Sequence, residues 1–282
     1  MSRARESSKF AAAIAEANGA REAIYKDFYL PAVLALNDAG LPFMVGGAYA
    51  FEHFTGIERD LKDFDIFVKQ ADCQRVLDRL AAIGYQTEFT FPHWLGKAIC
   101  GQHYIDVIFN SGNGTARVDD DWFKHAIVED FFGLPIQLCP VEETLWSKAF
   151  VMERERYDGA DVAHLFLACG DKLDWARVLQ RFGPDWRVLL SHIILFGFAY
   201  PSERSRIPRW VTDDLLQKFR GETAAPSPSE RVCQGTLLSR EQYLTDLERW
   251  GYEDARLVPR GNLTKAEIEE WTAAIEKDKQ SA

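Results

Sequence analysis

No Cys-x-x-Cys pair occurs in the chain. Its five cysteines, Cys73, Cys100, Cys139, Cys169 and Cys233, are scattered and odd in number. That pattern excludes a disulfide framework and a thiolate zinc site, and it reads as the reduced thiols of a cytoplasmic protein. Long apolar runs are missing as well. The most apolar stretch, Ile193 to Ala199, falls far short of the roughly 20 residues a membrane helix needs, so no membrane association is expected. Residues 1–20 carry basic residues and alanines, but Glu6 and Glu16 interrupt any continuous apolar core, and the segment reads as an amphipathic or frayed helix, not a signal sequence. Positive charge is in deficit: 33 Lys and Arg against 43 Asp and Glu leave a formal charge of −10. Non-specific coating of nucleic acid is thereby excluded, and only a local basic groove stays open. The histidines His53, His93, His103, His125, His164 and His192 show no HExxH or paired metal spacing, which leaves zinc hydrolysis without support. Ser-His-Asp, Walker and dinucleotide fingerprints are absent too.

What remains is an ordinary globular composition, 47% hydrophobic and 27% charged over 282 residues, long enough for two modules. Helical spacing of Leu30, Val33 and Leu34 ends at Gly40, within an N-terminal segment 1–40. Residues 41–139 then read as a compact unit of alternating strands and helices. Leu41–Val45 and Phe64–Val68 are strands flanking a helix Ala48–Phe54. A helix through Val76, Leu77, Leu80 and Ile83 closes at Gly84. Strands follow at Tyr85–Phe91, Lys97–Cys100, Tyr104–Phe109, Ile127–Phe132 and Ile136–Leu138. From 140 to 220 the periodicity is helical: Val141–Glu155, Gly159–Leu167, Trp175–Phe182, Trp186–Ala199 and Trp210–Phe219. Residues 221–282 read as a linker of Ala, Pro and Ser followed by a helical tail, Arg240–Trp250 and Thr264–Lys277.

Three carboxylates stand in apolar strand contexts: Asp63 and Asp65 in Asp63-Phe64-Asp65-Ile66-Phe67-Val68, and Asp106 in Tyr104-Ile105-Asp106-Val107-Ile108. Residues two apart in a strand share a face, so Asp63 and Asp65 point together while Phe64 and Ile66 enter the core. Repulsion between them raises a pKa or costs stability unless a divalent cation neutralises them, and oxygen ligands suit Mg2+ or Mn2+. Asp106 supplies a third oxygen ligand from an adjacent strand. Gly46-Gly47 follows a short strand and precedes a helix, where missing Cβ atoms allow a close backbone approach and the helix N-terminus favours phosphate. Together these elements imply a metal–nucleotide site and in-line displacement at phosphorus.

Val45-Gly46-Gly47, Asp63-Phe64-Asp65 and Asp106 resemble the signature of the nucleotidyltransferases of the DNA polymerase beta superfamily. The likeness covers about the first half of the chain. It implies an α+β fold, a mixed sheet with helices followed by a helical domain. A second likeness lies in Lys148 and Arg156-Tyr157-Asp158-Gly159-Ala160-Asp161, similar to the Lys and Arg-x-x-Asp region of minimal, toxin-type and antibiotic-modifying members. By this resemblance Lys148 meets the triphosphate and Asp161 orients it or assists as base; on physical grounds the guanidinium of Arg156 adds a planar fork. The spacing departs from the family pattern, with Asp158 competing for the role of Asp161.

The implied activity is Mg2+-dependent transfer of a nucleoside monophosphate from a nucleoside triphosphate to an acceptor hydroxyl, ATP being one candidate donor. A small hydroxylated acceptor is favoured over protein or tRNA by the acidic balance. Each element also has a plainer reading. A DxD is commonly a solvated strand end, a diglycine a tight turn, and Lys148 a solvent-facing residue. Arg156, Asp158 and Asp161 suit a helix start, and Arg59 and Lys62 either contact phosphate or balance the acids. Trp146, Trp175, Trp186, Trp210, Trp250 and Trp271 read as packing residues, and Ser239 as a helix cap, with a lid role for Arg240. Two other functions stay open: a catalytically silent nucleotide-binding or antitoxin-like regulatory module, and a metal-dependent phosphohydrolase.

Overall fold

The structure, a computed structural model, describes Gly19, residues 22–59 and residues 63–281. The helix expected over residues 1–20, Gly19 apart, and Lys62 lie outside the described residues. A π-helical turn, Tyr25–Tyr29, leads into α1 (Leu30–Asp38), then β1 (Met44–Val45), α2 (Gly47–Thr55), β2 (Phe64–Phe67) and α3 (Gln70–Ala82). The antiparallel run β3 (Gln86–Phe91), β4 (Leu95–Cys100) and β5 (His103–Ile108) follows. After it come α4 (Asp120–His125), β6 (Ile127–Phe131) and β7 (Leu134–Leu138). The seven strands form one mixed sheet in the order β3-β4-β5-β2-β1-β7-β6. Its centre is set by two parallel contacts, β2 with β5 and β1 with β7, and by the antiparallel pair β1 with β2.

Strand alternation sorts the residues of the sheet onto its two faces. Phe64, Ile66, Ile105 and Val107 are buried with Val33, Leu36, Val76, Leu77 and Leu80, so α1 and α3 cover one face. Asp65, Phe67 and Asp106 take the other parity and face away from those helices. On that side a second core joins Met44, Phe51 and Cys139 to the helical half of the chain. This half comprises α5 (Val141–Ala149), α6 (Gly159–Cys169), α7 (Trp175–Phe182), α8 (Trp186–Ala199) and α9 (Arg209–Ala224). Helix α2 touches both α5 and α6.

Several expected boundaries shift. The helix expected over Val141–Glu155 stops at Ala149, and the chain folds back through a bridge between Met152 and Tyr157. The reversal is closed by Glu153 N–H donating to Arg156 O at 2.8 Å and by Asp158 N–H donating to Val151 O at 3.0 Å. Helix α9 continues past Phe219 through Gly221 to Ala224. In the tail, the expected helix Arg240–Trp250 shrinks to α10 (Leu244–Glu248), and a two-stranded parallel ladder joins β8 (Val232–Cys233) to β9 (Glu253–Asp254) before α11 (Lys265–Ser281). Arg240 Nε lies 3.0 Å from a Glu153 carboxylate oxygen and its guanidinium stacks over Trp271. Ser239 accepts from Gln242 N–H in a turn, where the chain does not become helical. Trp146, Trp175 and Trp186 are buried as expected, whereas Trp210 and Trp250 are exposed.

Candidate active site

The parallel pairing of β2 and β5 places Asp65 directly opposite Asp106 in register. Cross-strand partners share a face, and Asp63 shares the parity of Asp65. One oxygen from each of the three carboxylates lies within 4.8 Å of the others. The three carboxylates expected to share one volume thus stand together, and β5 is the strand next to β2.

The diglycine meets this cluster from β1. Gly46 N–H donates to Asp65 O at 3.0 Å, extending the β1–β2 ladder by one residue. A Cβ at Gly46 would run into the Phe67 ring and touch Cys139. Gly47 has φ +54 and sits against the Asp65 side chain, where a Cβ would overlap the carboxylate. The turn is glycine for two separate reasons: backbone conformation at Gly47, and close approach at both positions. Gly46 is the N-cap of α2 and contributes no side-chain hydrogen bond. The first-turn amides of α2 thus start beside the Asp65 carboxylate.

Burial first, and crowding second, set the electrostatics of the cluster. Burial raises the Asp65 carboxyl from 3.8 to about 7, reinforced by Asp63 and Asp106, with the charges of Arg156 and Lys148 pulling it back. Burial also raises Asp106, while Lys97 lowers it and Asp63 raises it. The Lys97 ammonium is 3.0 Å from Asp106 Oδ1.

A second charged group stands on the helical side. Lys148 Nζ, on α5, donates to Asp158 Oδ2 at 3.1 Å and to Asp161 Oδ2 at 2.8 Å. Arg156 grips Asp158 with two bonds of 3.0 Å, and Arg59 pairs with Asp161. Both Lys148 and Arg59 lie over the Phe51 ring of α2, at 5.7 and 4.8 Å from its centroid. Burial opposes ionisation of Asp158, but Arg156 and Lys148 outweigh it and hold its carboxyl below the usual range. Asp158 and Asp161 therefore do not compete for one position: Lys148 bridges both. Arg59 joins Asp161, so it balances that acid and makes no pair with the DxD carboxylates.

Two groups escaped the sequence reading. Lys97 is one, although a signal existed: the hairpin closing at Cys100 and His103 sets a register that carries Lys97 onto Asp106. The other is a buried framework behind α5. Glu143, fully buried, takes Arg177 at 2.7 Å and Arg181 at 2.9 Å, and Arg181 also holds Asp119 at 2.6 Å. Glu142 binds Arg177 and accepts from Asp174 N–H at 2.8 Å. These bonds fix α5, which carries Lys148, against α7. Nothing in the local pattern of Glu142-Glu143 signals that charged residues will be buried there.

The donor set suits a hard divalent cation. It consists of three carboxylates, one from β2, one from β5 and one just before β2, their oxygens clustered, with Asp65 seated in a cradle that a side chain at Gly47 would fill.

No protein-family model matches the chain, and no curated protein does. Among solved structures, it is similar to the antibiotic-resistance factor ANT(2'')-Ia, with 14% identity over 60% of this chain and 94% of that one and a TM-score of 0.39. It is also similar to the lincomycin-bound lincosamide antibiotic adenylyltransferase LnuA, with 18% identity over 49% and 92% and a TM-score of 0.36. A third likeness is to JHP933 from Helicobacter pylori, 12% identical over 71% and 95% with a TM-score of 0.39.

Proposed function

We propose that the chain is a divalent-metal-dependent nucleotidyltransferase that moves a nucleoside monophosphate from a nucleoside triphosphate to an acceptor hydroxyl. The observation that carries this reading is the register of Asp65 against Asp106, with Asp63 alongside and the diglycine turn of α2 abutting Asp65. Asp63, Asp65 and Asp106 would hold Mg2+ or Mn2+. Bound there, such a cation would supply neutralising charge, acidify the attacking hydroxyl and steady the leaving pyrophosphate.

The chain's own groups do the rest. Backbone amides at Gly47 and the first turn of α2 receive phosphate oxygens. Lys148 and Arg156 give the triphosphate a point charge and a planar fork, and Arg59 stands beside them. Asp161 and Asp158 hold the Lys148 ammonium between them. A carboxylate oxygen of Asp106 takes the acceptor proton as the acceptor oxygen bonds to the α-phosphorus. The bond from that phosphorus to the bridging oxygen breaks, and pyrophosphate departs. The acidic balance of the chain favours a small hydroxylated acceptor over a polyanionic one.

The test is transfer of label from each α-labelled triphosphate, with Mg2+ and a cell extract as acceptor source, separated into RNA, protein and small-molecule fractions. Label is expected in the small-molecule fraction, and it should disappear with Asp63→Asn or Asp65→Asn. Undiminished transfer by those variants would refute the reading. Release of free phosphate without any acceptor would replace it by phosphohydrolysis.

A further inference from the structure

Lys97 pairs directly with the carboxylate cluster, its ammonium 3.0 Å from Asp106 Oδ1, and its place is fixed by main-chain pairing. On β4 it lies opposite Asp106 of β5, and on its other side opposite Glu88 of β3. With Asp65 this gives a row of four in-register positions, Glu88, Lys97, Asp106 and Asp65, across four strands on one face. The Lys97 side chain is only 23% exposed. Its ammonium lies 4.0 Å from the ring centroid of Tyr104, which shares the face of Asp106. A lysine held between a carboxylate and an aromatic face has lost most of the freedom that makes surface lysines interchangeable.

Three ionised carboxylates present a formal charge of −3, and Lys97 reduces it to −2. One divalent cation neutralises that remainder. A second must enter against an ammonium already paired with Asp106, with none of the cluster's negative charge left over to receive it. We propose that Lys97 is a positioning residue: it is a built-in counter-charge for Asp106 that makes the cluster hold one divalent cation tightly and resist a second when no polyanion is present. The proposal rests on the metal-binding reading above and adds the stoichiometry of that site and the residue that sets it.

The experiment uses the full chain, stripped of metal, with Mn2+ alone as probe. Free Mn2+ is followed by the loss of its six-line electron paramagnetic resonance signal on binding. The unaltered protein is expected to bind one Mn2+ tightly. Lys97→Met and Lys97→Gln should each tighten binding by about ten-fold or more, or bind a second ion with comparable affinity, because a unit charge a few ångströms from a divalent ion matters even under water-like screening. Lys97→Arg, which keeps the charge, should bind as the unaltered protein does. In the double variant with Asp106→Asn the gain should vanish. Misfolding weakens binding and so cannot imitate a gain. Equal affinity and stoichiometry in the unaltered, Met and Gln proteins would overturn the role of Lys97 while leaving the metal site standing. Absence of Mn2+ binding in all of them would overturn the metal reading itself.

Discussion

Asp65→Asn isolates the electrostatics of the cluster from any chemistry. In the metal-free protein the Asp65 carboxyl titrates near 7 instead of 3.8, through burial first and through Asp63 and Asp106 next. A folded-state pKa above the unfolded one means that the folded chain binds more protons between the two values. The stability this contributes is full below about pH 3.8 and is lost as pH rises through 7. At about 1.36 kcal/mol per pH unit the displacement corresponds to on the order of 4 kcal/mol, an upper figure because the neighbouring carboxylates titrate together. Urea unfolding with chelator present, at pH 5 and pH 8.5, reads it directly. The unaltered protein should lose stability between the two relative to the Asn variant, and the Asn variant should be the more stable at pH 8.5 by a few kcal/mol. Mn2+ should then stabilise the unaltered protein and not the variant, by an amount set by its concentration over Kd. Equal pH slopes for the two proteins, or an Asn variant less stable at pH 8.5 in chelator, would show that the carboxylates do not confront one another as described.

Gly47→Ala adds a Cβ at a positive φ and against the Asp65 carboxylate. It should cost about 1–2 kcal/mol by thermal unfolding and abolish the stabilisation by Mn2+, and a retained Mn2+ effect would contradict the cradle. Glu143→Ala leaves the partly buried guanidiniums of Arg177 and Arg181 short of a counter-charge. A loss of about 3–5 kcal/mol is expected in the same measurement, and a change below about 1 kcal/mol would demote that framework to incidental contacts. Lys148→Met still leaves Asp158 with Arg156 and Asp161 with Arg59. The melting temperature should therefore move little while the KM for triphosphate rises about ten-fold or more. A large loss of stability with unchanged KM would assign Lys148 to the fold instead of the nucleotide.

The parts of this site that were legible in the sequence are those written by local rules. Period-two alternation put Asp63 and Asp65 on one face, and an apolar run marked Asp106 as a strand residue. Gly46-Gly47 between strand and helix marked the close approach. Illegible were the relations made by partners distant along the chain. Asp158 and Asp161 compete for one role on paper, but the fold-back after Ala149 brings both to Lys148. The same reversal ends a helix that composition alone would continue through Arg154 and Glu155. Glu142 and Glu143 look like solvent-facing helix residues because their burial depends wholly on Arg177 and Arg181, supplied by another helix. The tail misled for a related reason. Tyr243 folds onto Gly235 and Arg240 reaches Glu153, contacts that replace a helical path with turns.

The parallel alignment of β2 with β5 makes the carboxylate cluster a gauge of how the sheet was assembled. These strands are separated by α3, β3 and β4, so their pairing is non-local and forms only after a costly loop closure. A slip of one residue in β5 would turn Asp106 toward α1 and α3 and bring Ile105 or Val107 beside Asp65. Such a chain could keep its helices and strands and still be blind to divalent cations. A cation added during refolding would therefore act as a selector, favouring the one alignment in which two distant stretches of the chain present their oxygens together.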